Sequence, residues 1–420
     1  MEDLVAAIKL YSDDKNWTQL VECINSSVET IVKNASKIDA AIDALDPAQH
    51  TIGFLGILLI KIDLPNYGDF ELLFTQIKNF IELCSQEQLP IVIEKFIHIC
   101  HFVTRCLIDK KQTGRGIKLM TTAICKARQH ESQLTSIHSD LLQLCLLSKN
   151  FKPALRFMDI DVTDIHKENG QYDSRYFLLY YYYGGMIYAA VKKYDNALFF
   201  FEVAVTTPAI SVSHIMLEAY KKFILVSTYL HGKIVTLPRY TSAVVPRFLK
   251  ALSSAYVELA NSYGSHDPDQ LRSVAEKHHQ VFQRDNNAGL LKQVIASLYK
   301  RNIQRLTKTF ITLSLSDMAT RVKLENAQEA ESYLLEMIED GEIHATIDQK
   351  DGMVKFHDSA ERYDSSTVVM KIDEEIRKCM ILDEKLQKMD REISVNPQYV
   401  QKVVGLQQLD DPSKGDELMS

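Results

Sequence analysis

The chain is short of residues that break helices: its 420 residues include only 15 glycines and 10 prolines, each below the usual share. Short turns between many helices are therefore expected. It also lacks a positive surplus, with 48 Lys plus Arg against 55 Asp plus Glu, a net charge of −7. A mildly acidic chain is without the basic excess that marks most nucleic-acid binders. Long apolar runs are missing too. The longest, Ile52 to Ile60, is closed by Lys61; it spans about half a bilayer and reads as a core helix. The opening Met1-Glu2-Asp3 has the wrong charge for a signal peptide.

Cysteine is sparse and odd in number. Cys23, Cys84, Cys100, Cys106, Cys125, Cys145 and Cys379 are dispersed, which is not the pattern of a disulfide framework. Most stand in apolar helical contexts, where a free thiol acts as a small hydrophobe. A reducing compartment, cytoplasm or nucleus, is expected, and the three Asn-x-Ser/Thr sequons at Asn16, Asn25 and Asn34 are chance matches. What the chain does have is 46% hydrophobic and 25% charged residues, close to soluble averages. That composition supports a buried core and excludes wholesale disorder. The length allows about three domain-sized units.

Helical periodicity dominates the first 300 residues. Leu4, Ile8 and Tyr11 share a face, as do Leu20, Ile24, Val28, Ile31 and Val32, and Pro47, Pro65 and Pro90 fall between helices rather than inside them. A spacing recurs. Tyr181-Tyr-Tyr-Gly-Gly-Met-Ile-Tyr188 is followed by Ala197, Phe201 and Ala204 and closed by Pro208. This resembles a tetratricopeptide repeat, whose small and aromatic positions let two helices pack closely. Weaker copies carry Leu141, Cys145, Ala154 and Met158, and Thr104, Leu107, Gly116, Met120 and Ala123. The anchors Gly116, Ala154 and Ala197 are irregularly spaced, so the prediction is a degenerate, right-handed helical-repeat solenoid presenting an extended surface.

The pattern changes near residue 290. Leu291, Val294, Ile295 and Leu298 form one helical stripe and Ile303, Leu306 and Phe310 another. A short strand, Thr312-Leu-Ser-Leu-Ser316, precedes a helix capped by Ser314 or Ser316 with Asp317 in its first turn. A further helix runs through Ala327, Ala330, Leu334, Met337 and Ile338 until Gly341 stops it. Ile343, Ala345 and Ile347 then alternate, Asp348 to Gly352 turns, and Val354 and Phe356 return, a β-hairpin. Helix, strand, helix, helix, hairpin is the order of a winged helix. A last helix begins near Ser366 with an apolar seam of Val369, Ile372, Ile376, Cys379, Leu382, Leu386, Met389 and Ile393, opposite a charged face. Pro397 marks its end, and a polar tail to Ser420 is expected to be disordered.

A mostly α chain built as a helical solenoid, a winged helix and a long terminal helix resembles the PCI-domain proteins, found in the proteasome lid, the signalosome and a translation initiation factor. Longer segments narrow the likeness to signalosome subunits. They include Gln133-Leu-Thr-Ser-Ile-His-Ser-Asp-Leu141, Tyr180-Tyr-Tyr-Tyr-Gly-Gly-Met-Ile-Tyr188, Ser213-His-Ile-Met-Leu-Glu-Ala-Tyr-Lys-Lys222, Arg284-Asp-Asn-Asn287, Asn302-Ile-Gln-Arg-Leu-Thr-Lys-Thr-Phe310 and Met337-Ile-Glu-Asp-Gly-Glu-Ile343. The resemblance implies helical repeats over 1–196 and a PCI domain over 197–365, with its helical part at 197–289 and its winged helix at 290–360. A bundle helix over 366–398 and a disordered tail over 399–420 complete the division. It further implies a scaffold subunit without catalytic residues or cofactor, in a complex that removes a ubiquitin-like modifier from cullins. The expected partners are other PCI- and MPN-type subunits and, through the complex, cullin-based ubiquitin ligases. Winged helices in this family associate edge to edge, and terminal helices gather into a bundle.

Catalytic patterns are scarce. No His-x-His occurs; His98 and His101 with Cys106, and His278-His279, are the nearest metal-like clusters, and no second ligand pair stands at a recognisable spacing. The expectation is that Cys100 and its apolar neighbours are core, with the histidines at the rim. Gly114-Arg-Gly116 lacks a third glycine and a preceding strand. Asp348 to Gly352 lacks the glutamate of a calcium loop. The rings of Tyr180 to Tyr183 are expected to pack between helices. DNA readout is opposed by charge: between Lys323 and Lys350 stand Glu325, Glu329, Glu331, Glu336, Glu339, Asp340, Glu342 and Asp348 and no Lys or Arg, which repels phosphate. The candidate partner-binding residues are therefore the helix seam and the hairpin edge, Ile343, Ala345, Ile347, Val354 and Phe356.

Overall fold

The computed structural model describes residues 1–64, 69–166, 173–209, 211–242, 244–357 and 365–402. Pro65 and residues 403–420 of the expected tail lie outside the described residues. The chain divides into two compact units, one of residues 1–306 with 320–325, the other of 307–319 with 326–420.

The first unit is a succession of helices: α1 (Glu2–Asp13), α2 (Trp17–Ser26), α3 (Val28–Lys33), α4 (Ile38–Asp43), α5 (Thr51–Asp63), α6 (Phe70–Leu83), α7 (Ile93–Asp109) and α8 (Thr113–Ala127). Next come α9 (Ile137–Ser148), α10 (Lys152–Met158), α11 (Ser174–Ala190), α12 (Tyr194–Thr206) and α13 (His214–His231). The run closes with α14 (Val244–Leu252), α15 (Ser254–Gly264), α16 (Pro268–Lys277), α17 (His279–Arg284) and α18 (Ala288–Thr307). Two short parallel strands, β1 (Gln133–Leu134) and β2 (Asp164–Ile165), pair within this unit. They are too brief to show as alternation in the sequence.

The apolar run is α5, buried along nearly its whole length, with Phe54 stacked on Phe80 at 5.4 Å. Lys61, which ends the run, is itself buried, and its ammonium bonds Asp39 and donates to Gln76 Oε1 at 2.9 Å. A charge inside a core is tolerated there because its donors are met. No helix among the described residues is long and apolar enough to cross a membrane.

The irregular repeat has a local origin in its turns. Lys111, Lys149 and Lys192 adopt left-handed backbone at φ 56°, 57° and 65°. The next N–H in each case reaches back to close the helix: Gln112 to Leu107 O, Asn150 to Cys145 O and Lys193 to Tyr188 O. This is the Schellman ending, usually given to glycine. Non-glycine residues in it cost about 1–2 kcal/mol each, and their use explains how so few glycines serve so many turns. Gly116, Ala154 and Ala197 each follow one of these lysines by five residues, so the anchor spacing tracks the turn spacing.

Close approach of α11 to α12 depends on paired glycines. A Cβ on Gly184 would fall 2.6 Å from Phe200, and one on Gly185 2.6 Å from Phe201. The rings of Tyr180, Tyr181 and Tyr188 surround Phe200 at 5.0–5.9 Å. The tyrosine cluster thus packs helix against helix. Full burial of such a ring stabilises by about 1.5–3 kcal/mol.

The second unit holds β3 (Thr312–Ser314), α19 (Leu315–Val322, which continues beyond it), α20 (Ala327–Glu339), β4 (Ala345–Asp348), β5 (Met353–Phe356) and α21 (Ser366–Val395). The element order is the one read from the sequence, except that the two stripes after residue 290 belong to one helix, α18, which ends at Thr307 before Phe310. Ser314, rather than Ser316, caps α19: its Oγ accepts from Asp317 N–H and donates to the Asp317 carboxylate at 2.8 Å, which satisfies one free N–H of the first turn. Gly341, at φ 72°, ends α20. The sheet is antiparallel in the order β3-β5-β4.

Candidate protein-interaction surfaces

Each of the two expected surfaces can be followed from backbone to side chain. In the hairpin, Ala345 pairs with Phe356 and Ile347 with Val354. His357 N–H donates to His344 O at 2.9 Å. Hydrogen-bonded pairs alternate in an antiparallel ladder, so Thr346 and Asp348 bond inward and the N–H and C=O of Ala345 and Ile347 face away from β5. These are the groups a further strand could meet.

Three of the five hairpin residues are not at that edge. β3 pairs with the other side of β5, which makes β5 central, and Val354 and Phe356 are buried. Ile343 precedes β4 and is buried as well. The open edge reduces to Ala345 and Ile347, both half-buried. A strand pattern shows alternation but not which neighbour lies alongside.

The terminal helix is different in kind. Ser365 Oγ accepts from Val368 N–H to start α21, and none of its 30 residues is buried. All eight seam residues are exposed, from Ile393 at 47% to Val369 at 60%, with Cys379 also open. Met370, Met380 and Ile381 add apolar surface that the seam had omitted. Their spacing widens the stripe beyond a strict coiled-coil seam. On the flanks, Arg377 pairs with Asp373 at 3.0 Å and Lys378 with Glu374 at 3.1 Å, ties that support a helix by a few tenths of a kcal/mol. The helix breaks at Asn396, whose Oδ1 accepts from Gln398 N–H, and residues 397–402 are helical again. Pro397 therefore opens a new helical segment, where its missing N–H costs nothing, rather than the expected tail.

The acids between Lys323 and Lys350 fall on and around α20, the helix a winged-helix protein would use to read DNA. Glu336, Glu339, Asp340, Glu342 and Asp348 are exposed.

The metal-like clusters resolve into separate contacts. His98 is exposed, whereas His101 Nδ1 bonds Asp140 Oδ2 at 2.5 Å and its ring stacks on Tyr176 at 4.3 Å. Cys100 is fully buried with its apolar neighbours. His278 Nε2 bonds Glu258 at 2.7 Å. Among the described residues no group of three or more His, Cys, Asp or Glu could hold a metal ion. Burial lowers His138 to about 4, so its ring stays neutral between Phe157 and Tyr180.

A run of helical repeats joined to a winged-helix unit defines the class of PCI-domain chains, and a PCI domain profile matches residues 275–358. A second profile, described as the N-terminal helical repeats of COP9 signalosome complex subunit 3, matches residues 14–245. The chain is 42% identical over 424 residues to COP9 signalosome complex subunit 3 of Drosophila melanogaster, covering 97% of this chain and 95% of that one. It is 35% identical over 393 residues to the protein of that name in Dictyostelium discoideum, covering 91% and 93%. The chain belongs to the COP9 signalosome complex subunit 3 family.

Proposed function

We propose that this chain is a non-catalytic scaffold subunit of a signalosome, the complex that removes a ubiquitin-like modifier from cullins. One observation carries the reading: α21 leaves its apolar stripe uncovered along about 45 Å of helix. Packing of an apolar face is the main source of helix stability in proteins, and α21, with no buried residue, takes that packing from partners. Its neighbours in a bundle are the terminal helices of other PCI- and MPN-type subunits, and the Ala345–Ile347 edge takes a strand or loop from one of them. Cullin-based ligases meet the assembled complex. Cytoplasm and nucleus suit a chain with seven free thiols. The domain division read from the sequence, with repeats to 196 and a PCI domain from 197 to 365, is retained as part of this proposal.

The test is co-purification of the tagged full chain from cells, with the partners identified by mass spectrometry. Stoichiometric signalosome subunits are expected with the unaltered chain. Ile376→Asp with Leu386→Asp is expected to lose them while the purified protein keeps its melting temperature. Retention of all partners by this variant would overturn the role given to α21.

A further inference from the structure

The exposed stripe of α21 changes sides halfway along the helix. Ile372, Cys379, Leu386 and Ile393 recur every seven residues and form one continuous apolar row, exposed throughout. Packing on another helix takes a second apolar row three or four residues from the first. In the first half of α21 that companion row is Val369 and Ile376, each three residues before a member of the continuous row. In the second half it is Leu382 and Met389, each three residues after one. At about 100° per residue, the two companion pairs lie on opposite sides of the continuous row.

Neither companion row runs on. Asp383 and Asp390 stand where Val369 and Ile376 would recur, and Glu375 stands one heptad before Leu382. All three carboxylates are exposed, and covering one with an apolar surface is unfavourable unless a cation comes with it. An unbroken coiled-coil seam drifts by only about 20° per heptad on a straight helix, far less than the change of side here. Met380 belongs to the first side. It lies one turn after Ile376, is exposed, and with Ile372, Ile376 and Cys379 lines an open hollow that ends at Asp383.

Charge distinguishes the two halves. In the first, Asp373 is tied to Arg377 at 3.0 Å and Glu375 to Lys378 at 2.9 Å, so the flanking charges are matched within α21 itself. In the second, Asp383 and Asp390 border the apolar stripe on one side and Lys378 and Lys385 on the other. Flanking charges of this kind set which helix pairs and in which direction.

We propose that α21 takes two different partner helices, one along residues 369–380 and a second along residues 382–393, changing over near Cys379. The first is held by apolar fit. The second carries Lys or Arg toward Asp383 and Asp390 and Asp or Glu toward Lys385. One long partner helix would cover the companion row of one half and meet carboxylates in the other. The inference rests on the docking role proposed for α21 and adds that this helix joins two neighbours rather than pairing with one.

The experiment expresses the tagged full chain in cells with the photo-cross-linking residue p-benzoylphenylalanine in place of Val369 or of Met389. Mass spectrometry identifies the linked peptides. The two positions are expected to link to two separate helices. Asp383→Lys with Asp390→Lys should weaken the Met389 cross-link about fivefold or more and leave the Val369 cross-link in place. Both acids are exposed, so the purified variant should keep its melting temperature. One helix linked from both positions, whether from another subunit or from a second copy of this chain, would overturn the inference and leave the docking of α21 standing. So would a link from one position alone, or a charge variant that weakens both links equally or neither. Links from neither position would overturn the docking role of α21 as well.

Discussion

Helices α5 and α21 both carry broad apolar surface, and only one of them is covered by its own chain. α5 buries ten of its 13 residues; α21 buries none of its 30. The difference lies in their surroundings more than in their composition. Within the repeats, α5 finds other helices on several sides, and its one cation is met by Asp39 and Gln76. An apolar stripe states that a surface needs cover, and the fold decides whether the cover comes from within or from another chain.

The sharpest way to break that comparison is to place one charge on each helix. Leu58→Asp in α5, at a fully buried site, is expected to cost at least about 4 kcal/mol. Ile376→Asp in α21 should stay within about 0.5 kcal/mol. Urea unfolding of the purified chains measures both, and similar losses would remove the distinction.

Next in size is the buried ion cluster. Lys221→Met leaves Glu218 and Asp285 without their central cation and is expected to cost about 3–5 kcal/mol. The cluster also sets a response to acid. Burial alone would raise Asp285, but hydrogen bonds from Lys221 and Tyr256 outweigh it, and the net effect holds the carboxyl below its ordinary range. Asp39 behaves likewise, with burial opposed by Lys61 and Gln76. A depressed folded-state pKa contributes stability that is present above the unfolded value of about 4 and is lost as pH falls through the folded value. Thermal melts from pH 7 downward should show this loss below about pH 4, and Lys221→Met should shrink it. An unchanged acid profile in that variant would count against the cluster as its source.

Smaller again is the helix contact at Gly185. A methyl there would press on fully buried Phe201, and Gly185→Ala should cost about 1–3 kcal/mol. Gly264→Ala, where a Cβ meets nothing within 4 Å, is the control and should be close to neutral. The smallest expected effect is at the sheet edge. Ile347→Pro removes an N–H that faces away from β5, so stability should change by less than about 1 kcal/mol, while any strand added at that edge loses a bond. A large loss of stability would show that Ile347 donates within the sheet.

The helical character of the first unit and the order of elements in the second unit were legible in the sequence. Capping by Ser314, the stop at Gly341 and the start at Ser366 depend on residues within a few positions of one another. The recurring anchors were visible, but their cause was not, because a lysine carries no mark that it will take a left-handed turn. The helix seam was legible because exposure does not alter a 3.6-residue period. The hairpin edge was only partly legible, since the role of Val354 and Phe356 depends on β3, some 40 residues earlier.

By itself the sequence determined what is local. Period, caps and turn residues act over a few positions, where chain connectivity keeps the groups together whatever the rest does. Tertiary structure alone decided which distant groups meet. His101 reaches Asp140 and Lys221 reaches Asp285, β5 becomes the middle strand, and α21 stays bare. Such pairings depend on closing long loops and filling shared volume, and in that process many side chains compete for each place.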